Sequence, residues 1–556
     1  MNKRRTMAAL LVPVLVAAGC GSDDDDTSAI TAERTGSSSS ASSTSTDDDS
    51  SVAGSTASST TAESDESEAR QGGSMTYLYT NSPRTFDPAK AREWFGPGVA
   101  IYMVLAYDAL VRVDPRTGEI IPRIAESLTS NADSSVWTIK LRPGVTFSDG
   151  TAYDAEAVVF NWDRMQQPEL ASPCASTLGG YQYTAADELT IEVSLSAPQV
   201  AFPKVMMDCG SKVASPTAIE QFGETYGSSP ETIVGAGPFT VRDWVVDDHV
   251  SYERNPEFWD SPRPYLDELQ IQSSPDNGVR VDAILAGTAP AGGLTSFGAD
   301  SARAEESGLT TLYRLSSGGV PMIFNFTREP TDDVRVRRAL ILATDLNELN
   351  DKAADGHLPL MEAYFQEDSV YYDETLTQET NDLEEAQALI DEYLAEKGVD
   401  SITIEVLNPP SFDSLDKTQA QMWERLDGVD VSLRDSPGGQ FHEAVATGDF
   451  VARVSAVACD DPECFYRLFH TESSQNLEGF GSPELDALID EARGETNVER
   501  QKELYAQIVR NLLVEDPIGV FWYHLGTPAL FDPEVVAGAT MYDASIPDLT
   551  TVWLVD

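Results

Sequence analysis

The chain carries the stretch WTIKLRPGVTFSDGTAYDAEAVVFNW at residues 137–162. Its first five residues alternate apolar and polar side chains, a pattern that is typical of a half-buried strand. Its end, residues 155–162, is apolar at helical spacing, and Asp154 directly before it is a good candidate for a helix N-cap. The stretch therefore predicts a strand that leads through a loop into a helix.

Two dipeptides with strong turn preference lie in that loop, Pro-Gly at 143–144 and Asp-Gly at 149–150. Glycine and aspartate favour tight turns because glycine tolerates positive φ and aspartate bonds the nearby backbone. Between the turns, Val145 and Phe147 are expected to pack inward. Upstream, residues 75–79 predict a strand, and the apolar run 102–113 predicts a helix.

Three later passages of the sequence also carry characteristic residues at fixed distances from one another. They read GAGPF at 235–239 followed by YERNPEFW at 252–259, FN at 324–325 followed by DVRVRRAL at 333–340, and FGSPELDALI at 480–489. With residues 137–162 they closely resemble, in order and spacing, the signature passages of the family 5 extracellular solute-binding proteins. Members of that family are the peptide- and nickel-binding receptors of ABC importers. The resemblance covers about residues 73–550.

This resemblance implies an α/β fold of the periplasmic-binding-protein type, with two lobes, a hinge and an extra subdomain in the first lobe. Carried over to this chain, it places the first lobe in residues 73–108, 237–318 and 525–556. The additional subdomain would be 109–236, and the second lobe 319–524.

The same resemblance implies a function as an extracytoplasmic solute-binding receptor of an ABC importer. A peptide or similar small solute would bind in the cleft between the lobes, and closure would bury it. The expected partners are that small-molecule or peptide ligand and the permease and ATPase subunits of the importer. We expect a monomer that performs no catalysis.

Residues 1–20 predict a lipoprotein signal peptide. Three basic residues at 3–5 precede an apolar run at 7–18 that is too short to span a bilayer comfortably. Small residues then precede Cys20, which resembles the lipidated cysteine of a bacterial lipobox; an ordinary secretory signal is the alternative. Residues 21–72 are rich in Ser, Thr and Asp and predict a disordered tether. We therefore expect a protein that is lipid-anchored to the outer face of the cell membrane.

The overall charge limits the classes of partner. The chain has 37 Lys and Arg against 92 Asp and Glu, a formal net charge of −55. Binding to nucleic acid needs clustered cations, so we expect no nucleic-acid partner. The acidic residues are spread along the chain, which favours a solvated acidic surface rather than a single acidic site.

Four cysteines lie in the part of the chain expected to fold, at Cys174, Cys209, Cys459 and Cys464. An even number in an exported chain predicts two disulfides, and local pairing of the first two and the last two is expected. The sequence leaves the connectivity open. A metal site is disfavoured because there is no Cys-x-x-Cys pair and no histidine at ligand spacing beside the cysteines.

The solute-binding residues are expected among aromatic and charged side chains near the cleft. In peptide-binding relatives an aspartate of the second-lobe loop holds the amine of the ligand; Asp460 matches it if a gap is allowed, and Ala458 without one. Each candidate also has an alternative role in the structure alone. The aspartates could cap a helix, the aromatic residues near the end of the chain could pack in the core, and the arginines could form ion pairs on the surface. The candidates are Asp460, Asp461, Trp94, Phe95, Trp522, Tyr523, Arg84 and Arg467.

An extracellular enzyme is the main competing class. The sequence has no zinc-protease motif, no nucleophile elbow and no phosphate-binding glycine loop, and its five histidines have no partner at catalytic spacing. We expect neither a cofactor nor a bound metal; a nickel chelate as ligand has only His470 near the cleft loop in its favour. A cell-surface hydrolase and a non-transport sensor lipoprotein on the same scaffold remain the alternatives.

Overall fold

A seven-stranded sheet assembles from distant parts of the chain and forms the first lobe. The computed structural model describes residues 68–91, 99–114, 117–459, 461–543 and 546–555. The first strand, Ser74–Tyr79, pairs in parallel with the two strands beside it, whereas the other neighbours are antiparallel. In spatial order the strands are Thr310–Leu312, Ala529–Phe531, Ala291–Gly293, Ser74–Tyr79, Glu268–Ser273, His249–Arg254 and Phe239–Val245.

A five-stranded sheet forms the second lobe. Its strand Ile402–Asn408 pairs in parallel with both neighbours and is largely buried, as expected for a strand covered on both faces. In spatial order the strands are Val429–Asp435, Ile402–Asn408, Ala452–Val454, Val320–Phe324 and Gly519–Tyr523.

A four-stranded antiparallel sheet forms the additional subdomain. One face of this sheet packs against the helix Ala155–Met165. Along the strands, buried side chains alternate with side chains that point to the other face, towards solvent. The strands are Ala125–Ser130, Val136–Leu141, Thr190–Leu195 and Tyr181–Asp187. Three two-stranded pairs complete the sheets: Val111–Val113 with Ile120–Pro122, Val536–Ala537 with Trp553–Leu554, and Thr540–Met541 with Pro547–Asp548.

Helices cover the faces of these sheets. The α-helices are Ala100–Tyr107, Ala155–Met165, Ala175–Gly179, Phe202–Val205, Pro216–Phe222, Asn277–Leu285, Ala299–Glu306, Val334–Leu342, Leu346–Ala354, Leu383–Lys397, Asp413–Trp423, Gly439–Thr447, Pro462–Phe469, Pro483–Gly494 and Val498–Arg510. Short 3₁₀-helices are Pro168–Leu170, Gly223–Thr225, Pro230–Thr232 and Pro410–Phe412, and π-helical turns are Met206–Gly210 and Asn511–Glu515. In the described part of the chain, none of them has the length and apolar character needed to cross a membrane.

The stretch at 137–162 folds as its sequence predicts. Gly144 and Gly150 have φ of 80° and 82°, which glycine adopts without strain. Phe147 is buried and its N–H donates to the Thr151 carbonyl at 2.9 Å, which closes the second turn. The Asp154 carboxylate accepts from the Ala157 N–H at 2.8 Å and caps the helix.

The expected helix over 102–113 is wrong in its second half. The helix ends at Tyr107, and Asp108 then adopts a φ of 58°, which no continuing helix allows. The β-branched residues that follow form the strand Val111–Val113 instead. The Asp108 carboxylate holds this turn, since it accepts from the Trp259 indole at 2.8 Å and pairs with Arg123.

Two chain segments, 313–319 and 524–528, connect the first lobe to the second and form the hinge. They run side by side, because the Ser316 N–H donates to the Leu525 carbonyl at 2.8 Å. His524 Nδ1 lies 2.7 Å from the Gly318 carbonyl oxygen, and burial lowers the pKa of this histidine. A neutral imidazole therefore donates across the hinge.

Candidate functional site

The additional subdomain and the second lobe meet at a small polar contact, which we call the interlobe junction. The Lys204 ammonium donates to Asp461 Oδ2 at 3.0 Å, and the Val200 N–H donates to the Arg493 carbonyl at 2.9 Å. Gly494 permits the close approach, since a Cβ there would lie 3.3 Å from the Pro198 Cβ. The lobes are thus in direct contact at the edge of the space between them.

Asp461 is held from both sides. It is the N-cap of the helix Pro462–Phe469, and its Oδ1 accepts from the Cys464 N–H at 2.9 Å. Burial acts to raise the pKa of Asp461, but the Lys204 ammonium and the Cys464 N–H together hold it below its usual range. Both carboxylate oxygens therefore have a partner in this structure, as the helix-cap alternative predicts.

The loop before that helix is closed by a disulfide between Cys459 and Cys464, whose Cα atoms are 5.3 Å apart. The second disulfide joins Cys174 to Cys209, with Cα atoms 5.6 Å apart. Both predicted disulfides, with local pairing, are confirmed. One bridge braces the second-lobe side of the junction and the other braces the subdomain segment that carries Lys204.

Asp208 is a charged residue that the sequence analysis missed. It lies on the π-helical turn Met206–Gly210 with its side chain exposed. Desolvation by the surrounding protein nevertheless raises its pKa, and the charges of Lys212 and Lys204 oppose that rise. Asp208 lines a small recess together with Met165, Lys212 and the disulfide between Cys174 and Cys209.

Lys212 lies close to Asp208 and is buried. Desolvation lowers its pKa, whereas the charges of Asp208 and Asp543 raise it. A signal for this group was present in the sequence: Lys204, Asp208 and Lys212 interrupt an otherwise apolar stretch around Cys209. Charges that recur within a segment expected to be buried point to a polar site or an interface.

The two late aromatic candidates belong to the second-lobe sheet. Trp522 is fully buried, and its indole N–H donates to Gln419 Oε1 at 2.9 Å. Tyr523 is the last residue of the strand beside the hinge, and burial raises its pKa to about 12. This placement favours the core alternative for both residues; their contact with a solute stays a prediction.

The arginine candidates are exposed. Arg84 pairs with Asp247 at 2.9 Å, and both side chains are more than half exposed. Arg467 lies near the end of the helix Pro462–Phe469, where its guanidinium contacts the Cys464 sulfur at 3.5 Å. Arg84 thus follows the first strand of the first-lobe sheet, whereas Arg467 lies on a helix of the second lobe. Four further predicted residues lie outside the described part of the chain: Trp94, Phe95, Asp460 and the lipidation candidate Cys20.

A cavity of about 260 Å³ opens in the second lobe behind the loop that leads to Cys459. Its wall includes Ser455, Val457 and Phe469, together with the buried ion pair between Arg453 and Glu478. Within the described ranges, no group of three or more histidine, cysteine or carboxylate side chains has the arrangement of a metal site.

A family profile described as "Bacterial extracellular solute-binding proteins, family 5 Middle" matches residues 119–476 of this chain, more than half of its length. The chain belongs to the bacterial extracellular solute-binding proteins, family 5. This membership confirms the resemblance seen in the signature passages. Among curated relatives, the family 5 chain is 27% identical over 450 residues to the periplasmic oligopeptide-binding protein OppA of Escherichia coli (strain K12), covering 73% of this chain and 80% of OppA.

Solved structures confirm the fold class of this family 5 protein. The Escherichia coli murein tripeptide binding protein MppA superposes with a TM-score of 0.71 at 22% identity, covering 88% of this chain and 99% of MppA. AgaA from A. tumefaciens R10, in complex with agropinic acid, superposes with a TM-score of 0.71 at 20% identity, covering 87% of this chain and 99% of AgaA. The two lobes, the hinge and the subdomain are thus those of a periplasmic solute-binding protein.

Proposed function

We propose that this chain is the solute-binding receptor of an ABC importer and that it takes a peptide or a similarly sized solute between its lobes. The observation that carries the proposal is family 5 membership across residues 119–476, together with a relative named for oligopeptide binding. The interlobe junction supports the proposal, because the bond between Lys204 and Asp461 brings the additional subdomain and the second lobe into contact, as closure over a guest requires.

The mechanism follows from a shift of the equilibrium between open and closed lobes. A solute that binds both lobes favours the closed form by its difference in affinity for the two forms. The two adjacent, antiparallel hinge segments permit this movement with few changes, since each lobe keeps its own core. The closed form then docks on the permease, and ATP hydrolysis on the cytoplasmic side drives transfer of the solute.

We further propose that the mature protein begins at a lipidated Cys20 and reaches the permease through the tether 21–72. The support is the basic start, the short apolar run and the small residues before Cys20. Tethering raises the local concentration of the receptor at the membrane. Metabolic labelling with a fatty acid tests this: wild type takes up label and Cys20→Ser does not. Equal labelling of both would reject the anchor.

The domain division is also a proposal: first lobe 73–108, 237–318 and 525–556, additional subdomain 109–236, second lobe 319–524. Its support is that each sheet draws its strands from one of these sets. We propose a monomeric receptor without catalytic activity, in keeping with relatives that are named as binding proteins.

The test of the proposed function is to identify the bound solute. The mature protein, expressed in a bacterial host, is purified under native conditions and its co-purifying small molecules are measured by mass spectrometry. Defined peptides are then screened for a rise in melting temperature, since a ligand that binds only the folded state stabilises it. We expect saturable stabilisation without change in the mass of the peptide. Cleavage of the peptide would favour the hydrolase, and no stabilisation by any solute would contradict the proposed function.

A further inference from the structure

The cavity of about 260 Å³ in the second lobe carries a buried ion pair in its wall. Arg453 and Glu478 are 9% and 6% exposed, and they pair with each other. The Arg453 guanidinium also donates to the Val454 carbonyl at 3.1 Å. Because the pair is nearly buried and the guanidinium is bonded on two sides, this part of the wall is held in one arrangement before any guest arrives.

Three polar side chains of the same wall have hydrogen-bonding capacity that the protein leaves unused. Glu478 Oε1 accepts from Arg453, but within the described ranges its second oxygen, Oε2, has no hydrogen-bond partner. The Ser455 hydroxyl and the Gln475 side-chain amide also have none among the described residues. The wall thus offers both donors and acceptors to a guest.

The rest of the wall is mainly apolar, and the space is large. Ile323, Val457 and Phe469 are buried and line the cavity, and Leu477 lies at its exposed side. One water molecule needs only about 10–15 Å³ of such space. The cavity therefore has room for an organic group of several heavy atoms, with an apolar surface for its carbon atoms.

The chain segment 455–461, which forms part of the wall, connects the hinge to the interlobe junction. Near its start, Val457 and Gly319 of the hinge exchange two backbone hydrogen bonds, each of 2.8 Å. At its end, Asp461 bonds Lys204 of the additional subdomain. The hinge is the base of the cleft between the lobes and the junction lies at its edge, so a segment that runs from one to the other borders the cleft.

The ion pair decides which kind of guest the cavity suits. Arg453 and Glu478 cancel each other's charge. A carboxylate guest would be repelled by Glu478 and an ammonium guest by Arg453, and either would leave one charge uncompensated in a half-enclosed site. A neutral carboxamide avoids this, because its NH₂ group would donate to Glu478 Oε2 and its carbonyl would accept from Ser455 or Gln475.

We propose that this cavity takes a neutral carboxamide side chain of the solute, and that Glu478, held by Arg453, sets the preference for it. The apolar part of the wall takes the methylene groups of that side chain. This inference rests on the proposed function and deepens it, because it selects peptides that contain glutamine or asparagine.

The probes for the test are tetra-alanine peptides in which each position in turn carries Gln, Glu, Lys or Met. Affinities are measured by titration calorimetry. At one position, wild type should prefer Gln to each of the other three by about 10- to 100-fold, as a hydrogen bond to a charged acceptor contributes. Peptide binding without a Gln preference at any position would overturn the inference and leave the proposed function standing.

Two variants test the wall. Glu478→Gln keeps the shape but leaves the Arg453 charge uncompensated, so the same position should now prefer Glu to Gln, by about 10-fold. Ser455→Leu fills the cavity and should reduce all four peptides to the affinity of tetra-alanine. Glu443→Gln, at an exposed glutamate of the second lobe, is the matched control and should leave the ratios unchanged. Circular dichroism checks the fold of each variant, and Ser455→Leu decides if Glu478→Gln does not fold.

The remaining outcomes separate the cavity from the function. A Gln preference that persists in Glu478→Gln or in Ser455→Leu would overturn the inference. If no peptide binds wild type, the proposed function fails, and the cavity is probed by NMR with propionamide, the free analogue of the glutamine side chain. Binding of propionamide that Ser455→Leu abolishes would support a carboxamide pocket, and no binding would overturn it.

Discussion

Two of the ion pairs that join the additional subdomain to its neighbours differ in kind. Arg164 holds Asp87 in a bidentate pair, with both distances 2.6 Å, and Asp87 is fully buried in the joint with the first lobe. Lys204 holds Asp461 by a single bond at the joint with the second lobe, with both side chains partly exposed. A buried bidentate pair is costly to break, whereas a partly exposed single bond is weak.

The difference between the two ion pairs indicates which parts of the molecule move together when the cleft opens. The subdomain is fixed to the first lobe through a desolvated pair, and it touches the second lobe through a contact that water can replace. Opening of the cleft should therefore separate the subdomain from the second lobe and leave its joint with the first lobe intact. Lys204 and Asp208 then travel with the first lobe.

The largest expected effect comes from breaking the fixed joint. Among the described residues, Arg164→Met leaves the buried Asp87 carboxylate with the partly exposed Lys90 ammonium, 3.3 Å away, as its one charged partner. We expect a loss of about 3–5 kcal/mol in the free energy of unfolding, as removal of one partner of a buried pair produces. Guanidinium denaturation measures it.

Arg84→Met is the matched control, since it removes an exposed Arg–Asp pair. Its expected loss is about 0–1 kcal/mol. Equal losses in the two variants would contradict the view that the joint at Asp87 is the rigid one.

The two disulfides give the next largest effect and sharpen the comparison between the faces of the cleft. They close loops of very different length, with sequence separations of 35 for Cys174–Cys209 and 5 for Cys459–Cys464. From loop entropy alone, serine replacement should destabilise by about 4 and about 2 kcal/mol respectively. Paired Cys→Ser variants are compared by denaturation under non-reducing conditions. A reversed order would show that strain or local structure, rather than chain entropy, dominates.

Asp416 of the second lobe tests how a buried carboxyl group makes the stability of the fold depend on pH. It is fully buried, and in the described part of the chain neither carboxylate oxygen has a hydrogen-bond partner. Desolvation, helped by the charge of Asp413, raises its pKa to about 8. The folded state therefore binds a proton that the unfolded state releases, so this group stabilises the fold below about pH 4 and loses that contribution as pH rises to about 8.

The measurement is the free energy of unfolding of wild type relative to Asp416→Asn across that pH range. We expect the difference to fall by up to about 1.4 kcal/mol per pH unit between pH 4 and 8 and then to stay level. Asp413→Asn on the same helix is a control of opposite sign, because Lys417 and Asn408 lower the pKa of Asp413. A flat difference for Asp416→Asn would mean that this carboxylate is solvated or paired in solution.

The smallest effect is expected at the interlobe junction itself. A double-mutant cycle of Lys204→Met and Asp461→Asn should give a coupling below about 1 kcal/mol in unfolding free energy. Asparagine keeps the helix cap, so the cycle isolates the ion pair. Scattering should show a larger radius of gyration for ligand-free Lys204→Met than for wild type. A coupling as strong as that of the buried pair would mean that the junction is a permanent bond.

Much of the fold was readable in the sequence because local chemistry and global topology agree. The turns at 143–144 and 149–150, the cap at Asp154 and both disulfides follow from residue types at fixed positions. The end of the helix at Tyr107 could not be predicted. The positive φ of Asp108 depends on contacts with Trp259, which is distant in sequence, and with Arg123, which follows the next strand pair.

The site was less predictable than the fold. Asp461 was selected as an aspartate of the second-lobe loop, but its partner Lys204 lies 257 residues earlier, and no local pattern links them. Asp208 was missed although the charges at Lys204, Asp208 and Lys212 interrupt the apolar stretch around Cys209, because the sequence does not show which other segments face them. Trp522 was selected as aromatic near the chain end, and its burial against Gln419 depends on the second-lobe core.

The most direct test of the whole account is native mass spectrometry of the mature protein with a pool of short peptides. If the lobes clamp a guest without making or breaking bonds, the spectrum will show one peptide per chain, and the peptide released from the complex will keep its original mass. Absence of any complex, or release of cleaved fragments, would contradict the account.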